Sequence, residues 1–297
     1  MAFNFDGIKN FFSFFNEQNG TKNTNRIAKT FDLLKTQSRK ALIPFITAGD
    51  PKPEITVQLM HQLVRSGADI IELGVPFSDP MADGPTIQRS SERALKYHVS
   101  LNDVLAMVAE FRKMDAKTPV VLMGYANPVE ALGYELFAIK AKECGVDGVL
   151  IVDYPPEESG RWVQCLDEQG IDTIFLLSPT TPQERIEQVA KMAKGYVYYV
   201  SLKGVTGASH LDLNNVSAML KQLRDYIALP IGVGFGIRDG ETAKAVASLA
   251  DAVVVGSRII EEIEKSSDKE LLDNVGNLLI SLRNALDGKE SNIQHST

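Results

Sequence analysis

The sequence contains few of the residues that most often hold metals or form nucleophilic triads. It has 2 cysteines and 4 histidines among 297 residues. Cys144 and Cys165 show no metal-ligand spacing and fall in helix-like stretches, so we interpret them as packing residues of a protein in a reducing cytoplasm. The histidines show no paired spacing either. No metal site is therefore predicted.

Positive charge and long apolar runs are also scarce. The formal net charge of -7 argues against nucleic-acid binding, which requires a basic surface. No apolar run reaches the roughly 18 residues that a membrane span needs. Residues 1–20 lack the basic segment of a signal peptide. They contain a cluster of phenylalanines followed by a polar stretch, and we expect residues 1–25 to form an extension that docks on the chain's own surface or on a partner.

Short apolar runs recur eight times after Arg26, each without a polar alternate face. Strands of a parallel sheet that is covered on both faces have this composition. Helix patterns lie between them, so the sequence predicts a single (β/α)₈ barrel domain over residues 26–297. A doubly wound open sheet is the alternative, but eight units without a second domain favour closure. The runs are LIPFI (42–46), DIIEL (69–73), PVVLM (119–123), GVLIV (148–152), TIFLL (173–177), YVYYV (196–200), PIGVG (230–234) and AVVV (252–255).

A carboxylate interrupts the second apolar run. Side chains alternate along a strand, so Ile71 and Leu73 suit the helix-facing side and Glu72 points into the barrel mouth. Partial desolvation there would raise its pKa and make proton exchange possible near neutral pH. The alternative is a buried glutamate paired with a lysine or arginine of another strand. Asp83 lies eleven residues on in a loop rich in glycine and proline, where it is either a catalyst or a turn former.

Two glycine-containing stretches indicate anion binding. Residues 232–240 end the seventh run and lead into the next helix pattern, and residues 256–257 follow the eighth run directly before a helix pattern. Glycines let backbone N–H groups approach a phosphate, and the loops after strands 7 and 8 are the usual phosphate site of such barrels. Tight turns with positive φ are the alternative. Residues 201–210 form a candidate mobile loop that closes over a ligand.

These residues together resemble one known family, the α chain of tryptophan synthase. The resemblance extends in order and spacing from about Arg26 to Leu286. It implies a retro-aldol lyase that cleaves indole-3-glycerol phosphate to indole and glyceraldehyde 3-phosphate. The matching motifs are LIPFITAGDP (42–51), IELGVPFSDPMADGPTIQ (71–88), DYPPEES (153–159), GVTG (204–207), GFGI (234–237) and VVGSRII (254–260).

The resemblance also implies roles for individual residues. Glu72 matches the glutamate that moves protons at indole C3 and the glycerol hydroxyl, and Asp83 matches the aspartate that accepts the indole N–H. Tyr198 corresponds to a tyrosine near the glutamate and the substrate. Thr206 matches the closing-loop threonine that bonds to the aspartate. The indole pocket would include Phe45, Tyr125 and Leu150, and the phosphate site Gly207, Gly236, Gly256 and Ser257.

The family further implies a partner. Indole would pass through a tunnel to a β chain that uses pyridoxal phosphate, in an αββα assembly, and this chain would itself need no cofactor. Residues 79–81 and 125–130 would form parts of the docking surface. The sequence departs from the family at Leu202, where arginine is common, with Lys203 supplying charge one place later.

Three other functions fit parts of this pattern. A free-standing lyase that releases indole would need the same residues. A silent barrel kept as an activator would be favoured if Glu72 or Asp83 were absent, and both are present. An indole-glycerol-phosphate synthase would need lysines in its strands, and none of the eight runs contains one.

Overall fold

The apolar runs form a closed barrel. The computed structural model describes residues 25–200, 213–234 and 236–289. Eight parallel strands follow one another in chain order, and the last pairs with the first, which confirms the barrel and rules out an open sheet. The strands are β1 (Ala41–Thr47), β2 (Ile71–Gly74), β3 (Val120–Gly124), β4 (Gly148–Ile151), β5 (Asp172–Leu177), β6 (Val197–Val200), β7 (Ile231–Gly234) and β8 (Ala252–Val255).

Helices surround the barrel in the described part of the chain. Helix α2 has Pro53 at its first position, and α4 begins after Ser100, which forms a capping box with Asp103. None of the described helices is both long and apolar enough to cross a membrane. The helices are α1 (Arg26–Thr36), α2 (Pro53–Arg65), α3 (Pro85–Leu95), α4 (Leu101–Arg112), α5 (Ala126–Leu132), α6 (Tyr134–Cys144), α7 (Gly160–Glu168), α8 (Gln183–Met192), α9 (Leu213–Arg224), α10 (Gly240–Ala247), α11 (Ser257–Lys265) and α12 (Leu271–Leu286).

The core has two layers because strand side chains alternate. Ile71 and Leu73 belong to the larger layer between the strands and the helices, whereas Ile70 belongs to a smaller layer inside the barrel. Ile27 and Phe31 of α1 are part of the inner layer, so α1 closes the end of the barrel at which the strands begin. The proposed boundary of the extension at residue 25 stays a prediction, since residues 1–24 lie outside the described range.

Three aspartates strengthen this N-terminal end of the barrel. Each directly precedes a strand or lies two positions before it, accepts a backbone N–H from the strand before, and pairs with an arginine. Carboxylates that accept an N–H and an arginine together make strong, directional bonds. The three sets are Asp69 with Leu42 N (2.8 Å) and Arg283, Asp147 with Val120 N (2.9 Å) and Arg112, and Asp251 with Ile231 N (3.0 Å) and Arg224.

Candidate active site

A cavity of about 690 Å³ lies at the opposite end, where the strands finish. This is the end at which barrel enzymes place their active sites. Seven of the eleven site residues predicted from the sequence line it, although they come from five separate parts of the chain. They are Phe45, Glu72, Asp83, Tyr198, Gly236, Gly256 and Ser257.

Glu72 is fully buried in β2 and faces this cavity, as the alternation predicted. The Tyr196 hydroxyl donates a hydrogen bond of 2.5 Å to Oε1, whereas Oε2 has no hydrogen-bond partner among the described residues. No described lysine or arginine pairs with the carboxylate, so the paired-glutamate alternative finds no support there. Burial raises the pKa of Glu72 to about 7, against the opposing effect of the Tyr196 hydrogen bond. A carboxyl group with that pKa can both donate and accept a proton near neutral pH.

Asp83 is half-buried in the loop between β2 and α3. Burial raises its pKa, and a hydrogen bond from the Tyr125 hydroxyl acts in the opposite direction. The same hydroxyl accepts the Ala82 N–H at 3.0 Å, and the Gln88 side-chain amide donates to the Asp83 carbonyl at 2.8 Å. The loop is therefore held from both sides, and it leads directly into α3 through Gly84. A restrained backbone of this kind limits where the Asp83 carboxylate can lie.

Tyr125 and Leu150 lie beside the cavity rather than on its wall. Tyr125 stacks on Phe77 with ring centroids 5.0 Å apart, and it contacts the Asp83 loop through its hydroxyl. Leu150 is fully buried in the inner core layer. The roles proposed for both in the indole pocket stay predictions. Thr206 and Gly207, together with Leu202 and Lys203, lie outside the described residues.

Tyr198 of β6 and Tyr196, which directly precedes this strand, share the inner core layer on the side of Glu72. Tyr198 lines the cavity, and burial followed by the nearby Glu72 charge raises its pKa well above the usual value, so its hydroxyl stays protonated. Tyr196, which bonds directly to Glu72, is missing from the sequence prediction. Its position two residues before Tyr198 was the available signal, since residues two apart face the same side of a strand.

Glycines make room for the aromatic side chains of the site. A Cβ atom at Gly234 would lie 1.9 Å from the Tyr198 hydroxyl oxygen, and one at Gly74 would lie 2.6 Å from Phe45 Cζ. Neither contact is sterically possible, so side chains at these two positions would displace the rings. Part of the glycine pattern therefore serves packing around the site in addition to turns.

The other end of the cavity is suited to an anion. Gly236 has a φ of +77°, and Gly256 precedes α11, whose first turn begins at Ser257. The first N–H groups of a helix lack intrahelical acceptors and attract negative charge. Arg238 and Arg258 line the cavity as well. Arg258 Nη1 pairs with Glu262 Oε2 at 2.8 Å, and Glu261 is a further lining residue, so Arg238 is the arginine that adds positive charge. The sequence interpretation missed both arginines, although each follows a predicted glycine set within two residues.

The described residues contain no group of three or more histidine, cysteine, aspartate or glutamate side chains that could hold a metal ion. The site consists instead of two carboxylates with raised pKa values, two tyrosine hydroxyls and an end rich in backbone N–H groups. This arrangement can move protons at one end of a ligand while it binds an anionic group at the other.

A closed eight-stranded barrel with two such carboxylates at its C-terminal mouth defines an acid–base enzyme of the (β/α)₈ class. A family model described as tryptophan synthase alpha chain matches residues 31–285. The chain belongs to this family.

Individual relatives agree with that assignment. The tryptophan synthase alpha chain of Nitrosospira multiformis is 70% identical over 263 residues, which are 89% of this chain and 94% of the relative. That of Nitrosomonas europaea is 68% identical over 265 residues, covering 89% and 96%. The crystal structure of tryptophan synthase subunit alpha from Legionella pneumophila superposes with a TM-score of 0.84 at 49% identity, covering 89% of this chain and 99% of the other.

Proposed function

We propose that Glu72 and Asp83 catalyse the reaction of the tryptophan synthase alpha chain. This reaction is the retro-aldol cleavage of indole-3-glycerol phosphate to indole and glyceraldehyde 3-phosphate in tryptophan biosynthesis, so the chain is a carbon–carbon lyase. The observation that supports the assignment most strongly is the state of Glu72. It is fully buried, has no described cationic partner and faces the same cavity as Asp83.

Glu72 moves one proton in each direction during the reaction. As an acid it protonates C3 of the indole ring, because the ring is otherwise a poor leaving group. As a base it takes the proton of the hydroxyl on the adjacent glycerol carbon. The bond between this carbon and C3 then breaks, its electron pair restores the aromatic ring, and the carbon becomes the aldehyde. The net proton balance on Glu72 is zero, which requires a pKa near the working pH.

Asp83 stabilises the charge that builds up between these proton transfers. Protonation at C3 makes the ring electron-poor and places positive charge at the indole N–H. A carboxylate that accepts this N–H lowers the energy of the transition state more than that of the ground state. Tyr198 lies near Glu72 and the substrate as a protonated hydroxyl, and Phe45 contacts the ring.

The phosphate binds at the N–H-rich end of the cavity. Gly236, Gly256 and Ser257 supply backbone groups there, and Arg238 adds positive charge beside the dianion. Gly207 would complete this site, and Thr206 would bond to Asp83 when the loop closes. Binding both ends of the substrate aligns C3 and the reacting hydroxyl with Glu72.

The family implies a β chain as partner. We propose an αββα assembly in the cytoplasm, in which indole passes through a tunnel to the β chain. Residues 79–81 and 125–130 form parts of the docking surface, and Met81 within them is 82% exposed. Pyridoxal phosphate belongs to the β chain, and this chain needs no cofactor of its own.

Release of indole from indole-3-glycerol phosphate by the purified chain tests this function. We expect slow release alone and much faster release when a β chain is added. Fast release without a β chain would favour a free-standing lyase instead. No release under either condition would contradict the proposed function and favour a silent barrel.

A further inference from the structure

A charged cluster fastens the two helices that begin at the two ends of the site. Asp50, in the turn after β1, has a side chain with no exposed surface. The Arg93 guanidinium of α3 binds both of its oxygens, with Nε–Oδ1 at 2.6 Å and Nη2–Oδ2 at 2.9 Å. Such two-pronged bonds fix direction as well as distance, because the guanidinium and the carboxylate are both planar.

The same guanidinium also reaches α11. Arg93 Nη1 lies 2.9 Å from Glu264 Oε1. Arg89, four residues earlier on the same face of α3, binds Glu264 with Nε–Oε1 and Nη2–Oε2 both at 2.8 Å. Glu264 of α11 thus accepts hydrogen bonds from both Arg89 and Arg93 of α3, which lie four residues apart. Arg93 also binds the buried Asp50.

The two helices that the cluster joins begin at opposite ends of the active-site cavity. Helix α3 begins at Pro85, two residues after Asp83, and α11 begins at Ser257 of the anion-binding end. The Thr47 and Ser90 hydroxyls, 2.6 Å apart, add a second buried link between β1 and α3. The cluster therefore joins α3, the helix that directly follows the Asp83 loop, to α11, the helix whose first N–H groups are proposed to bind the phosphate.

Stability alone does not account for such a cluster. For the Asp50–Arg93 pair, removal from water costs about as much as the attraction returns, so its net folding energy is small. Arg89 and Glu264 keep 46% and 32% of their side-chain surface exposed, and ion pairs at the surface each contribute little to stability. What they supply is a fixed geometry. Asp50, Arg93 and Glu264 do not line the cavity, which means that any effect on catalysis must pass through the helices.

We propose that Arg93, through Asp50 and Glu264, is a positioning residue that sets the distance between Asp83 and the phosphate-binding end of the cavity. The inference rests on the proposed function, since it concerns how the indole end and the phosphate end of one substrate are held in register. Loosening the cluster lets α3 and α11 shift relative to each other, so a substrate held at its phosphate meets Asp83 at the wrong place.

The variant Glu264→Gln tests this most cleanly. It removes the charge that joins α11 to α3 but leaves the buried Asp50–Arg93 pair intact, so the chain is expected to fold. Asp287→Asn is the matched control, because Asp287 also accepts from two arginines, Arg39 and Arg283, at the opposite end of the barrel. Thermal unfolding of both variants, compared with wild type, gives the stability cost of each.

Two readouts separate positioning from stability. For Glu264→Gln we expect kcat/KM for indole-3-glycerol phosphate to fall about tenfold and the Kd of sn-glycerol 3-phosphate to change much less. A substrate that spans both ends senses their separation, whereas a ligand that fills only the phosphate end does not. Asp287→Asn should leave both constants unchanged even if it lowers the unfolding temperature equally.

Two further variants test whether Arg93 contributes more than Arg89. Arg93→Lys keeps the positive charge but replaces three guanidinium nitrogens with one ammonium and loses the two-pronged bond to Asp50, so we expect it to lower kcat/KM more than Glu264→Gln. Arg89→Lys should have the smaller effect, because Arg93 still holds both carboxylates.

Wild-type kinetics for Glu264→Gln, or an equal loss in Asp287→Asn, would overturn the proposal. Neither result would affect the proposed function, which is tested separately by indole release from the wild-type chain.

Discussion

Buried carboxylates have different partners at the two ends of the barrel. At the N-terminal end, Asp147 accepts from Arg26 at 2.8 Å and from Arg112 at 2.7 Å, and it also takes the Val120 N–H. At the C-terminal end, Glu72 is equally buried but contacts the Tyr196 hydroxyl and no arginine of the described residues. Glu72 lies in β2 and Asp147 directly precedes β4 of the same parallel barrel, so the side chains around each carboxylate decide the difference.

This difference separates a carboxylate that stabilises the fold from one that is free to react. A carboxylate neutralised by arginines keeps its charge and holds two strands together. A carboxylate left without a cation in the same low-dielectric interior exchanges protons near neutral pH, at a cost to stability when it is ionised.

The largest effect is expected when the reactive carboxylate is removed. Glu72→Gln keeps the shape of the side chain and can still accept the Tyr196 hydrogen bond, but it cannot carry a proton. We expect kcat for indole release to fall by about 10³-fold, within the range for loss of a general acid–base group. Phosphate binding and the circular dichroism spectrum should not change. Turnover near the wild-type rate would assign Glu72 to structure.

The same variant should gain stability at high pH. Because the folded-state pKa of Glu72 is about 7 and its usual value is 4.5, the folded protein holds a proton that the unfolded chain has lost between these pH values. The unfolding free energy of the wild type therefore decreases as pH rises through this window, by about 3 kcal/mol. Glu72→Gln lacks this loss. Urea titrations of both proteins at pH 5 and pH 8 measure the change in unfolding free energy between these pH values. An equal change in the wild type and in Glu72→Gln would contradict the prediction.

At the N-terminal end of the barrel, removal of a paired carboxylate should lower stability and leave activity unchanged. Asp147→Asn leaves Arg112 buried without its counter-charge, so we expect the unfolding free energy to fall by about 3 kcal/mol. Because Asp147 is remote from the cavity, kcat/KM of the folded fraction should match the wild type. A specific loss of activity in this variant, measured well below its unfolding temperature, would show that the two ends are not independent.

Asp83 provides the next smaller effect. Asp83→Asn keeps the loop contacts but removes the charge that stabilises the electron-poor indole, so we expect kcat to fall by about 10²-fold. A steady-state assay with saturating substrate checks this. If turnover remained at the wild-type rate, Asp83 would be the turn former that its loop also allows.

The smallest effect is expected at Tyr196. Its hydrogen bond lowers the pKa of Glu72 against the larger effect of burial. Tyr196→Phe removes this bond, so the pKa should rise further and the pH profile of kcat/KM should move to higher pH with a few-fold change in rate. Tyr199→Phe is a suitable control, because Tyr199 of β6 is as fully buried as Tyr196 but belongs to the outer core layer. An identical shift in both variants would exclude a direct role of the hydrogen bond.

Much of this molecule is predictable from the sequence because the relevant patterns are local. Strand alternation within one run is enough to point Glu72 inward, and the position of the glycines at 236 and 256 relative to two runs indicates an anion site. The Tyr196–Glu72 bond joins residues 124 positions apart, and the Arg93–Asp50 pair joins residues 43 apart. No local pattern reports such contacts, since they depend on how the barrel closes.

Leu150 shows a related difficulty. Alternation along β4 predicts that its side chain points into the barrel. It does not predict how far below the mouth of the barrel the side chain lies. Its depth depends on the stagger between neighbouring strands, in which Leu150 pairs with Met123 and Ile174. Met123 lines the cavity and Leu150 does not. Depth in a barrel is thus a property of the whole sheet rather than of one strand.

Titration of the Glu72 carboxyl tests the central claim most directly. Carbon-13 NMR of the chain labelled at glutamate side-chain carboxyls, with Glu72→Gln to assign the signal, gives its pKa in the folded wild type. We predict a midpoint near pH 7, raised by burial without a cation. A midpoint near the ordinary value of 4.5 would mean that the carboxylate is neutralised or solvated in solution, and it would contradict the assignment of Glu72 as the proton-transferring group.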